Sequence, residues 1–171
     1  MNLSRRKALV GTAGALLLAG CAVSTVDGVT TVTLNVATVN TYAKAIQLSA
    51  SALLANPLIA AALGSKASLA NALVTGVAVD IAKFDADANG AASLSFATTS
   101  VPAAFTSLEN DAGTLLGYVK DLAPSVIPTT FTAYADSLET IVSLLLALVS
   151  AVAAPKTPMT EAQALAVVGL K

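Results

Sequence analysis

Residues 129–153, TTFTAYADSLETIVSLLLALVSAVA, decide the class of fold. The apolar residues Phe131, Tyr134, Leu138, Ile141, Leu145, Leu148 and Val152 recur at alternating steps of three and four. That spacing keeps them on one side of a 3.6-residue helix, close to a coiled-coil stripe. From Thr140 to Ala154 the run is interrupted only by Ser143 and Ser150, which invites a membrane-spanning reading. At about 15 residues it is short of the roughly 20 that a span wants, and its face pattern is regular, so the expectation is a buried core helix.

The same rhythm extends outward. In 103–122 Phe105, Leu108, Ala112, Leu115, Val119 and Leu122 form a stripe; in 32–56 Val32, Val36, Val39, Ala43, Ile46, Ala50 and Leu53 form another. Residues 66–84 are less regular, with Leu69, Leu73, Val77, Ile81 and Phe84 assigned to one face. Prolines at 57, 102, 124, 128, 155 and 158 punctuate these segments. Asn56-Pro57 closes the first helix, because the residue before a proline is pushed out of the helical region. Pro102 and Pro128 suit a first helical turn. Ser65 is a candidate cap, Leu58–Leu63 a short bridging helix, and Thr160-Glu161-Ala162-Gln163 a capping box opening a terminal helix.

The long segments would each span roughly 30–40 Å. The predicted fold is therefore all-α: an up-and-down bundle of about four main helices plus short ones, over residues 32–171. Residues 29–37 also alternate like a strand, with Val32, Leu34 and Val36 on one face and Leu94-Ser95-Phe96 as an available partner. A lone pair of strands is marginal, so helix from about Val32 is the expectation.

Composition supports one domain with a thin core. The chain has 171 residues, 56% hydrophobic, 4% aromatic and no Trp. Leu, Val, Ile and Ala must build the interior, and Ala buries little area per residue.

The other informative stretch is residues 4–21, SRRKALVGTAGALLLAGC. Arg5-Arg6-Lys7 precede an apolar run, Ala8 to Ala19, and then Gly20-Cys21. The order resembles a secretory signal peptide. Leu18-Ala19-Gly20-Cys21 resembles the lipobox of bacterial lipoproteins, and Arg5-Arg6 resemble a twin-arginine export signal, with Ala8 where that pattern commonly has Phe. The resemblance implies cleavage after Gly20 and acylation of Cys21, the only cysteine in the chain. It also implies three segments: a signal peptide, 1–20; a lipidated Cys and tether, 21–31; and the bundle. Several acyl chains hold a protein stably on a membrane where one does not. Ala22, in place of an Asp, implies the periplasmic side of the outer membrane. The tether Ala22–Thr31 would reach about 35 Å at most.

Removing the first 20 residues leaves six lysines against ten acids, a net charge of −4. That balance excludes nucleic acid and disfavours anionic headgroups as partners. Histidine is absent, which removes the commonest general base and metal ligand. No spacing singles out a Ser–Lys or carboxylate pair. The expectation is a non-enzyme without a cofactor.

Asp85-Ala86-Asp87-Ala88-Asn89-Gly90 matches the first half of an EF-hand calcium loop, making Asp85, Asp87 and Asn89 weak metal candidates. The closing position holds Phe96 instead of Glu, so a solvated loop is expected there. Asp80 is expected at the edge of its stripe, paired with Lys83. Tyr42, Tyr118 and Tyr134 are candidate pocket residues, with Tyr134 on a core stripe. These readings together describe a membrane-anchored envelope lipoprotein with a structural or protein-interaction role, self-association included. A binder of hydrophobic small molecules or lipid is the alternative, and a membrane-perturbing helical protein a further one.

Overall fold

The computed structural model describes residues 21–26, 28–150 and 157–170. The protein is mostly helical, and it also carries a three-stranded antiparallel sheet, so the all-α expectation is corrected. Strand β1 (Cys21–Val26) pairs with β2 (Val29–Asn35), and β2 also pairs with β3 (Ser93–Ala97). The helices are α1 (Val36–Leu54), α2 (Pro57–Leu63), α3 (Lys66–Ala88), α4 (Ala103–Lys120), α5 (Thr129–Ser150) and α6 (Glu161–Val167).

Val29–Asn35 forms a strand, where helix was expected from about Val32, for two physical reasons. The first is local. Asn35 has extended backbone angles and its side chain accepts from the Thr38 N–H at 3.0 Å, so it caps α1 and fixes the start at Val36. The second is the residues expected to be tether. They form β1, so β2 has partners on both sides instead of one. Val32 lies opposite Val23 and Phe96, and Leu34 opposite Leu94. Val32 and Leu34 are completely buried against the helices. The opposite face carries Thr33, whose hydroxyl is 2.7 Å from that of Ser95. The β1–β2 connection turns through Gly28 at φ +79°, a conformation that favours glycine.

The long helices pack α1 on α3 and α5, and α4 on α3 and α5. The predicted stripes of α1, α4 and α5 supply the core: Val39, Ala43, Ile46, Ala50 and Leu53; Phe105, Leu108, Ala112 and Leu115; Leu138, Ile141, Leu145 and Leu148. Val152 lies outside the described residues. Leu69 is a correction. It is 54% exposed, whereas Val77 and Phe84 are buried. Steps of four drift by about 40° each, so Leu69 and Ile81 end about 120° apart and cannot both face the core. Phe84 meets Phe105 across α3 and α4, with ring centres 5.8 Å apart.

Helix ends follow their local chemistry. Asn56 accepts from the Leu58 and Ile59 N–H groups and opens α2 at Pro57. Thr160 and Gln163 form the expected capping box of α6. Ser65 stands at the start of α3 but makes no capping bond. Pro102 stands one residue before α4, at its N-cap.

Helices α3 and α5 are each long and apolar enough to cross a membrane by length and composition, which the 15-residue count did not allow for. α5 is tied to the fold by polar contacts as well. The Ser137 hydroxyl donates to the Ala164 carbonyl of α6 at 2.8 Å and lies 3.1 Å from the Ser49 hydroxyl of α1. Both serines are completely buried.

Leu145 faces the core and Ser143 lies off the stripe, half-buried. Leu145→Ala is expected to cost about 2–5 kcal/mol in chemical unfolding. Ser143→Ala is expected to stay within about 0.5 kcal/mol of wild type. Equal unfolding midpoints for the two variants would remove α5 from the core.

Candidate functional site

The link between α4 and α5 holds two prolines, Pro124 and Pro128, around a 3-10 turn, Pro124–Val126. A cleft of about 260 Å³ opens between this link and helices α4 and α5. Leu116, Val119 and Leu122 line one wall, Pro124 and Ile127 the link side, and Ala135 the α5 side. A small residue at 135 leaves the space open. The rim is polar. Lys120 Nζ pairs with Glu139 Oε1 at 2.7 Å, and Asp136 stands half-buried one helical turn before Glu139. The Asp136 side chain has no hydrogen bond or ion pair among the described residues.

Comparison with family models, curated proteins and solved structures finds no match for this chain. The geometry alone carries the reading of the cleft. Its apolar walls suit a compact hydrophobic guest, and its charged rim can orient one polar end.

A second cleft of about 270 Å³ lies between α1 and α6, lined by Ala37, Thr38, Thr41, Tyr42, Glu161 and Leu165. Tyr42 is buried and shares this cleft with the Glu161 carboxylate. Burial first, then the nearby Glu161 carboxylate, hold the Tyr42 pKa well above the ordinary phenol value. A phenol locked in its neutral form is a hydrogen-bond donor and a poor nucleophile.

The residues singled out in the sequence are scattered. Arg5, Arg6, Leu18, Ala19 and Gly20 lie outside the described residues. Cys21 opens β1, with its backbone opposite Leu34. Asp85 and Asp87 belong to the last turns of α3, not to a loop, and this corrects the expectation for 85–90. Two residues apart on a helix, their side chains diverge by about 200°. Asp85 accepts from the Asn40 amide at 2.8 Å instead. Asn89 ends α3 in the left-handed conformation at φ 48°, its N–H bonded to the Asp85 and Ala86 carbonyls. Among the described residues no three of His, Cys, Asp and Glu converge where they could hold a metal ion.

The three tyrosines do not converge. Tyr118 lies under the Lys66 ammonium, 5.3 Å from its ring centre, and Tyr134 packs beside Phe131. Asp80 is buried rather than at a surface edge, with Lys83 3.4 Å away. It faces Asp111 of α4, whose carboxyl is raised by burial and by the charge of Asp80, with Lys83 opposing. The Asp111 carboxylate rests against Gly76, where a Cβ would collide with it.

Sequence reasoning missed the cleft. A signal was present: Asp136 and Glu139 are the only acids in 129–153, one turn apart and off the predicted stripe. What the sequence lacked was the path of the link, which brings Pro124 and Ile127 to the same cleft.

Glu109 stands two turns before Leu116 on the same side of α4, and burial pushes its carboxyl up to about 7 from an ordinary 4.5. The native state then holds a proton that the unfolded chain releases. Stability from this group is full below pH 4.5, falls as pH rises towards 7, and is lost above it. Asp111 acts in the same direction. Glu109→Gln is expected to raise the Tm more at pH 8 than at pH 4, read by thermal unfolding. Equal gains at both would show that Glu109 ionises as freely in the fold as in the unfolded chain.

Proposed function

We propose that the chain is an exported lipoprotein of the bacterial cell envelope, anchored through Cys21, with a non-catalytic structural or protein-interaction role. The observation that carries this reading is positional. Leu18-Ala19-Gly20-Cys21 stands directly before the described sheet and bundle, whose buried core among the described residues runs from Val32 to Leu165. Cleavage after Gly20 would leave every one of these core residues, and the whole of β1, in the mature chain. The helical part is read as an up-and-down bundle, supported by the closed set of contacts among α1, α3, α4 and α5. The 260 Å³ cleft under the α4–α5 link favours a second reading, a hydrophobic small-molecule binder.

The pairing of β1 with β2 also revises what anchorage would mean. A ten-residue tether would let the domain drift by tens of ångströms. A paired Cys21 would instead hold the sheet end of the domain against the bilayer.

Cells expressing the protein and fed a radioactive fatty acid are expected to label the wild type and not Cys21→Ser. The mature wild type should sediment with membranes, and the variant should not. Equal labelling of the two would overturn the lipoprotein reading.

A further inference from the structure

We propose that the cleft under the α4–α5 link binds small apolar amines, with Asp136 as the residue that receives the ammonium group. This rests on the reading of that cleft as a small-molecule site. It adds the charge of the ligand, and the rim decides that charge.

Three ionisable side chains border the opening, and they are unequal. Lys120 is already held by Glu139 at 2.7 Å. Asp136 is left over, half-buried and without a partner among the described residues. The rim therefore has one negative charge in excess. A carboxylate guest would have to take Lys120 from Glu139 and then stand beside Asp136. A neutral guest would leave Asp136 with water alone. An ammonium group completes the set: it pairs with Asp136 and leaves the Lys120–Glu139 pair undisturbed. Charge-assisted hydrogen bonds of this kind are the stronger ones, and partial burial reduces their screening.

The walls set the other half of the ligand. Leu116, Val119, Leu122 and Ile127 offer only hydrocarbon, and Pro124 closes the link side. A cavity of about 150 Å³ accepts a benzene-sized guest. A cleft of 260 Å³ therefore has room for one ring, or an alkyl chain of similar bulk, plus a short arm. The arm carries the nitrogen from the apolar floor to the rim. A long-chain lipid would extend beyond this volume.

The test uses the full chain with isotope-labelled methyl groups and three matched probes: 2-phenylethylamine, 2-phenylethanol and 3-phenylpropanoate. They share a ring and differ in the charge at the end of the arm. Titration at pH 7 and low salt is followed by NMR. The amine is expected to shift the methyl signals of Leu116, Val119, Leu122 and Ile127 and to saturate. The alcohol should bind about tenfold more weakly, and the carboxylate more weakly still. Asp136→Asn should weaken the amine about tenfold and leave the alcohol within about twofold. Added salt should weaken only the amine in the wild type, which tests the same charge if the variant fails to fold. Alcohol and amine binding equally at these methyls would overturn the ammonium assignment and leave the cleft as a neutral apolar site. Tighter carboxylate binding would overturn it in favour of Lys120. No shift with any probe would overturn the small-molecule reading of the cleft itself.

Discussion

The fold depends on what holds α5 in place. This helix is apolar enough to be at home in a lipid bilayer, and hydrophobic attraction alone would not specify where along it a neighbour must lie. Two buried serines supply that specification. Ser137 bonds to the Ala164 carbonyl of α6 and meets Ser49 of α1, so one turn of α5 is registered against two helices at once. A buried hydroxyl without a partner is costly, so sliding α5 by a turn would strand both serines. The leucines around them add cohesion. The serines set the alignment, and the position of the cleft follows from it, because Ala135 and Asp136 directly precede Ser137.

Thin side chains explain the closeness of the helices elsewhere. The core has few rings, and Phe84 and Phe105 are spent on one contact between α3 and α4. Nearby, Gly76 lets the Asp111 carboxylate lie against α3 where any larger residue would push it away. The same approach brings Asp111 towards Asp80, with Lys83 alone to offset two acids. Close packing by small residues thus has a cost at this spot: burial first, and then the charge of Asp80, raise the Asp111 carboxyl.

The long helices were legible because their signal is local. A stripe such as Leu138, Ile141, Leu145, Leu148 needs nothing beyond itself to be recognised. Leu69 failed because equal steps of four drift around a helix. The sheet was harder. β2 joins β3 from about 60 residues away, and β1 comes from residues that read as a featureless tether. Asn35 was the overlooked clue, an N-cap residue directly before a helical run, and it dates the switch from strand to helix to a single position. The cleft was illegible for another reason. Its walls are ordinary core residues, and its remaining side depends on the path of a proline-bearing link.

The register of the sheet has a mechanical side. Cys21 lies opposite Leu34, and Asn35 hands β2 on to α1, so the Cys21 end of β1 and the α1 end of β2 are at the same edge. A pull on Cys21 away from the bundle would meet the ladder one pair at a time, as in opening a zipper, rather than all pairs together in shear. Such a ladder gives way at low force and re-closes from the turn at Gly28. Peeling the strand as far as that turn would free about eight residues, roughly 25 Å of slack, while Val32 and Leu34 kept β3 as a neighbour and the helical core stayed closed.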